Sequence, residues 1–212
     1  MKIIDLSHEI SDQTPFYPGT EAPVIETANT FEKDGFREKK ISMFSHTGTH
    51  IDAPAHILSD GKTLEHYTAD YFYGKAFIID VSQFTGEEIP VNYIANYKQK
   101  INASDFIIFH SGWSKKWGSD LYFKNFPVLS KESAESLVNL NLRGIGIDMI
   151  SVDPVDSFEL PIHHIILRKQ FIIIENLTNL DLIPNQEFTI SCLPLKIKNA
   201  DGAPARVVAI IG

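Results

Sequence analysis

A single, strand-rich, mixed α/β domain is the fold this sequence predicts, on three observations. Compact apolar runs of strand length, Lys75–Val81, Phe106–Phe109 and Phe171–Ile174, are bounded by polar or turn-forming residues, as strands buried on both faces require. Helical spacing is confined to a few stretches, chiefly Val91–Ile101 and Lys131–Leu140. The 212 residues contain no repeat, low-complexity tract or linker that would divide them, and the length suits one substantial core.

Taken in order, Lys2–Leu6 opens the domain as a short strand. Ser11–Pro23 is a loop with three prolines and Gly19 around the aromatic pair Phe16 and Tyr17. Those rings either tuck against the core or wall a site for a planar ligand, because aromatic faces stack. Val24–Thr30 and Arg37–Phe44 alternate loosely as strands, joined across the turn-type triplet Lys33-Asp34-Gly35. Ser59–Lys62 is a turn, and Leu64–Tyr73 is polar and aromatic without a clear period. In Val91–Ile101 the residues Ile94, Tyr97 and Ile101 fall at helical spacing. Ser130 is a good N-cap for a helix over Lys131–Leu140, ended by Arg143-Gly144. Ile145–Met149 is a short strand, Ile162–Leu167 begins helically, and Phe171–Ile174 is a central strand closed by Glu175. Phe188–Pro194 and Arg206–Ile211 complete the sheet.

Bulk properties narrow the function. With 19 basic against 27 acidic residues the net charge is −8, and no basic cluster offsets it, which disfavours nucleic acid as a partner. No run of about 18 apolar residues exists to span a membrane, and the first residues lack the apolar core of a signal peptide. The single cysteine, Cys192, forms no internal disulfide and reads as a small buried apolar residue; a cytoplasmic location is expected. Gly144-Ile145-Gly146 lacks the third glycine and helix start of a dinucleotide site. No serine or cysteine nucleophile signature is present.

The chemistry gathers in Phe44–Leu58, which holds three of the eight histidines, His46, His50 and His56, with Asp52 between them. His46, Gly48, His50 and Asp52 repeat with a period of two and would share one face of an extended chain. A straight strand, however, would separate His46 from Asp52 by about 20 Å, while ligands of one metal converge within a few ångströms. The chain must curl, with Gly48 supplying the freedom and Pro54 fixing the exit. Imidazoles with a carboxylate suit zinc or manganese better than calcium or magnesium. The reading is a metal-binding loop with His56 just outside the ligand set. Glu175, at the end of an apolar strand, must be solvated, paired or metal-bound. It follows the pair His163-His164. Asp148 and Asp153, near the end of another strand, either orient a neighbouring histidine or belong to a turn before Pro154.

The segment His46-Thr47-Gly48-Thr49-His50-Ile51-Asp52-Ala53-Pro54-Ala55-His56 resembles the His-x-Gly-Thr-His-x-Asp-x-Pro-x-His signature of the cyclase family, which includes the bacterial kynurenine formamidases and isatin hydrolase. Phe16–Gly19, Gly146–Asp153, His163 through Glu175-Asn176-Leu177, and Leu193–Arg206 resemble further family segments, so the likeness covers nearly the whole chain. It implies one domain over residues 1–212 of the swivelling β/β/α kind, forming homodimers or tetramers. It also implies His46, His50 and Asp52 as ligands of a first metal. His163 would bind a second, with Asp52 and Glu175 bridging, and His56 would be the acid/base residue. One or two zinc ions are implied, with manganese the alternative. In the kynurenine formamidases the position of Tyr17 is a tryptophan that contacts substrate, and Thr20 is an aspartate. The metal pattern is intact here, while the loop of Phe16 and Tyr17, expected to bind substrate, departs.

The expected function is therefore metal-dependent hydrolysis of a C–N bond in a small-molecule amide, an aryl formamide such as N-formylkynurenine first. The alternatives are a cyclic amide or lactone of the isatin kind, a metal-assisted cyclisation or dehydration, and a non-catalytic protein that binds a metal or small acid.

Overall fold

Short apolar strands laid side by side dominate the computed structural model, which describes all 212 residues. In chain order the first elements are β1 (Lys2–Asp5), β2 (Val24–Asn29), α1 (Phe31–Asp34), β3 (Glu38–Ser42), β4 (His50–Asp52) and β5 (Tyr73–Asp80). They are followed by β6 (Glu88–Ile89), α2 (Val91–Ala95), α3 (Lys98–Asn102), β7 (Phe106–His110), β8 (Val128–Leu129), α4 (Lys131–Val138) and β9 (Gly144–Ile147). The last are α5 (Pro161–Leu167), β10 (Ile172–Glu175), β11 (Glu187–Ser191), β12 (Gly202–Pro204) and β13 (Val208–Ile211).

Nine strands form one sheet in the order β1-β13-β11-β5-β7-β9-β10-β4-β12. Its centre, β5-β7-β9-β10, is parallel, and both flanks are antiparallel. The central strands are apolar on both faces because both faces are covered. Phe77, Ile79, Ile107, Phe109, Ile145 and Ile173 pack into one core cluster, to which the helices add Ile94, Ile101, Leu137 and Ile166. Ile78, Phe106, Ile108, Ile172 and Ile174 face a second cluster. That second cluster also takes Ile190 and Ala209 from one flank of the sheet and Ile51 and Ala203 from the other, so the sheet curls around it. Cys192 is fully buried there. The strand-rich α/β domain expected from the sequence is what forms.

Differences from the sequence reading are local. The helical stretch Val91–Ile101 is two helices broken at Asn96-Tyr97, although Ile94 and Ile101 are both buried as their spacing requires. The α4 helix stops at Val138, two residues short of the expected end, and its Ser130 cap accepts from the Ser133 amide at 3.2 Å. The turn at Lys33-Asp34-Gly35 is one helical turn ended by Gly35 at φ 76°. It joins β2 and β3, a two-stranded hairpin apart from the main sheet with every β3 residue exposed. Leu64–Tyr73, unassigned from sequence, makes two 3-10 turns at Leu64–His66 and Ala69–Phe72. The β6–β8 pair and β12 were not expected.

The chain between β1 and the Pro15 loop carries His8, whose ring stacks on Trp117 with centroids 3.8 Å apart. Burial there pushes its imidazole down to about 4 from 6.5. Below pH 6.5 the unfolded chain takes up a proton that the folded one refuses. Stability contributed by His8 should therefore be present above pH 6.5 and lost as pH falls toward 4. Replacing His8 with Phe, which keeps the stack and removes the proton, should flatten the decline in urea midpoint over that window. An unchanged slope would contradict the assignment.

Candidate metal centre

The register of three short strands assembles the site. In the β4–β10 pair His50 stands opposite Glu175, and in the β4–β12 pair Asp52 stands opposite Gly202. His50 and Asp52 are two residues apart on one strand, so they share the face that Glu175 also presents. The period-two expectation holds for this pair. Ahead of it the chain curls as the distance argument required, with Gly48 at φ 66°, a backbone conformation suited to glycine. The curl returns His46 to Asp52, its Nδ1 lying 2.6 Å from Oδ1. Past Asp52, Pro54 starts a 3-10 turn, Pro54–His56, that carries His56 back to the site. Its ring lies 4.0 Å from that of His46 and 5.9 Å from that of His163, between centroids.

His163 arrives on α5. Asp153, reaching in from the segment after β9, accepts the Ile162 and His163 amides, each at 2.9 Å, and the His163 ring Nδ1–H at 2.7 Å. One buried carboxylate thus caps a helix start and fixes an imidazole, so of the two roles open for Asp153 the orienting one is realised. Asp148 instead accepts the Ser111 amide and hydroxyl. His164 takes no part in the cluster.

Each imidazole has one nitrogen held from outside and one turned to the carboxylates. His50 donates from Nδ1 to the Gly48 carbonyl at 2.9 Å, leaving Nε2 at 3.2 Å from Asp52 Oδ1 and 3.5 Å from Glu175 Oε2. With its Nδ1 on Asp153, His163 places Nε2 at 3.7 Å from Asp52 Oδ2 and 3.6 Å from Glu175 Oε1. His46 Nε2 lies 3.0 Å from Asp201 Oδ2. Asp52 therefore offers one oxygen to His46 and His50 and the other toward His163, while Glu175 offers one toward His50 and the other toward His163. Asn176, at φ 58°, steadies the curl, donating from Nδ2 to the Gly48 carbonyl at 2.8 Å.

These donors fit a divalent cation. Ligands about 2.0–2.2 Å from a tetrahedral ion stand about 3.3–3.6 Å apart, and most of the contacts above lie in or near that range. The His46–Asp52 contact is tighter, a hydrogen bond that would open by about 0.7 Å to admit an ion. Asp52 Oδ2 is buried with no hydrogen-bond partner, which a cation would satisfy. His46–His50–Asp52 and Asp52–His163–Glu175, both sharing the buried Asp52, each converge as a possible ion-binding triad, and the more exposed His46–His56–Asp201 is a third.

The electrostatics agree. Burial pushes the Glu175 carboxyl well above its ordinary value and the adjacent Asp52 charge adds to this, while the imidazoles of His46 and His50 hold Asp52 well below its own against burial. Burial would depress His46 and His163 too, yet Asp52 and Asp201 raise the first, and Asp153, Asp52 and Glu175 the second, each to about 10. The pocket is negative enough to demand positive charge. His56 differs: burial, helped by its histidine neighbours and opposed by Asp52 and Asp201, lowers it.

A cleft of about 420 Å³ opens over the cluster, with His46, His50, His56, His163 and Glu175 at its base and Phe16, Tyr17, Phe44, Val155, Phe158 and Leu160 among its walls. Tyr17 is half-buried and donates its hydroxyl to the Val155 carbonyl at 3.0 Å, so it offers the cleft its ring. Phe16 is exposed at the rim. The structure thus brings together every expected site residue. Sequence reading missed Asp201, whose nearness to His46 spans 155 residues. The signal for it was the Asp-Gly in the tail segment.

Fold and site define a strand-rich α/β protein with a histidine–carboxylate centre suited to a divalent cation. The chain belongs to the Cyclase family, whose model ("Putative cyclase") matches residues 4–154. A kynurenine formamidase of Bacillus cytotoxicus is 32% identical over 97% of this chain and 95% of its own length. Isatin hydrolase A of Labrenzia aggregata, solved with benzyl benzoate, superposes with a TM-score of 0.89 at 25% identity, covering 99% of this chain and 93% of its own. A protein from Bacillus stearothermophilus described as a predicted metal-dependent hydrolase superposes at 0.81 with 27% identity, covering 98% and 97%.

A cation bound at hundredfold excess over its dissociation constant adds about 2.7 kcal/mol of stability. Zinc or manganese added to metal-free protein should raise the melting temperature by about 5–10 °C. Scanning calorimetry with and without chelator measures this, and coincident melts would exclude a high-affinity site.

Proposed function

We propose that this protein is a metal-dependent hydrolase that cleaves the C–N bond of a small amide, an aryl formamide such as N-formylkynurenine being the foremost substrate and zinc the foremost metal. The observation that carries this reading is the convergence of two imidazole–carboxylate triads beside His56 at the base of an aromatic-walled cleft. The kynurenine formamidase relative supports the formamide.

In this reading His46, His50, Asp52, His163 and Glu175 would hold the metal, with Asp52 common to both triads. A bound divalent metal supplies water acidified to near-neutral pKa and charge stabilisation at the scissile carbonyl. The chain's own chemistry lies with His56. Its lowered pKa keeps the imidazole neutral near pH 7 and so able to accept a proton from the attacking water. The same imidazole returns that proton to the departing nitrogen. Water adds to the carbonyl carbon, the C–N bond breaks, and the products are a carboxylic acid and an amine. The rings of Tyr17 and Phe16 flank an aromatic leaving group by stacking.

The fold likeness to isatin hydrolase A supports a second reading, opening of a cyclic amide by the same chemistry.

Replacing His56 with Ala should leave the metal content intact and cut turnover by about 10²- to 10⁴-fold; loss of metal instead would overturn its role. Replacing Asp52 with Ala should abolish metal binding in both triads, and stoichiometric metal in that variant, measured by plasma mass spectrometry, would refute its place as a ligand. A panel of N-formylkynurenine, formanilides, isatin and lactones tests the substrate. Turnover of isatin but no formanilide selects the second reading, and metal binding without turnover of any member refutes both.

A further inference from the structure

Asp201 belongs to neither triad as a shared ligand in the reading above and is not the acid/base, yet it touches both parts of the site. Its Oδ2 lies 3.0 Å from His46 Nε2 and 3.6 Å from His56 Nδ1. The two rings stand 4.0 Å apart, so one carboxylate oxygen addresses a proposed ligand and the proposed proton carrier together.

The backbone that carries Asp201 is locked to the centre. Its carbonyl accepts the Ala53 amide at 2.8 Å, one residue beyond Asp52. Gly202 stands opposite Asp52 in the β4–β12 register. A Cβ on Gly202 would lie 2.5 Å from His46 Cε1 and 2.8 Å from Nε2, so the bare glycine backbone is the wall against which the His46 ring rests. Asp201 and Gly202 thus form a cradle, one residue receiving the ring's outer nitrogen and the other leaving room for its edge.

We propose that Asp201 is a positioning residue that orients His46 toward the metal. This rests on the function proposed above. A hydrogen bond from the outer nitrogen of a ligating histidine fixes its tautomer and ring orientation and raises its basicity. Here the acceptor on Nε2 turns the Nδ1 lone pair inward. The same oxygen lies 3.6 Å from His56 Nδ1, where it faces that ring once the imidazole carries a proton. The competing description is a half-exposed ion pair of little consequence, since the Asp201 side chain is 44% exposed.

Zinc affinity, measured by competition with a chromophoric chelator, separates the two and needs no substrate. Asp201→Ala should bind zinc about 10- to 100-fold more weakly, with the zinc-free melting temperature unchanged. With N-formylkynurenine, or whichever panel member the wild type turns over, kcat should fall about 10- to 100-fold while KM stays within about twofold. Asp201→Asn keeps an oxygen to accept the Nε2 proton and should recover most of the zinc affinity. Gly202→Ala should weaken zinc binding although Asp201 remains. Wild-type zinc affinity in Asp201→Ala would overturn the proposal, as would an Asn variant no better than the Ala variant. If the wild type hydrolyses amides and Asp201→Ala matches it, this inference alone fails. If the wild type binds zinc but hydrolyses nothing, the function fails and the affinity comparison still judges Asp201.

Discussion

Two carboxylates, Asp52 and Glu175, are buried side by side where water cannot screen them, and the arrangement around them answers that constraint. Isolated, each would cost several kcal/mol to hold ionised. Three imidazoles lie against them, and each is pinned by an acceptor on its far side: Gly48 carbonyl for His50, Asp153 for His163 and Asp201 for His46. The outer acceptors differ in charge. His50 has a neutral carbonyl, while His46 and His163 have carboxylates that draw both rings toward the cationic form. The centre is therefore over-supplied with negative charge by design of its periphery, and a divalent cation is the economical remedy.

The sheet delivers these groups by ordinary means. The ladder that pairs β4 with β10 is stabilised by the apolar contacts of Ile51 and Ile174 beneath it, and both are fully buried. Precision at the polar face is thus inherited from packing on the apolar face. The helix start at α5 is used in the same economical way, since the carboxylate that satisfies its free amides also aligns His163. The opposite wall is more exposed. The aromatic loop of Phe16 and Tyr17 is tied across the cleft by a single hydroxyl bond to Val155, and Phe158 beyond it is almost wholly exposed.

How much of this could be read in the sequence follows from chain distance and side-chain signature. His46, His50, Asp52 and His56 sit within eleven residues, and their density was itself the signal. Glu175 announced itself as a charge ending an apolar run. The central strands were visible because burial on both faces leaves continuous apolar stretches. Asp201 was not visible, because it is placed by β12, a strand of Gly202, Ala203 and Pro204 whose composition disfavours strands and whose pairing arises only in the assembled sheet. The break in Val91–Ile101 escaped for a related reason: the apolar spacing is continuous, while Tyr97 is only half-buried and begins a second helix. Spacing reports which residues face the core and says little about whether the backbone between them is unbroken.

The position of β12 near the end of the chain has a consequence for how the protein matures. The cradle of His46 consists of residues 201 and 202, while the loop it supports ends at residue 56. During synthesis the histidine-rich loop emerges early and waits for most of the polypeptide before its last wall is supplied. Until residues 202–204 pair with β4, the sheet edge beside His46 stays open. The two parts of the site, 155 residues apart in the chain from His46 to Asp201, are joined only when β12 pairs with β4.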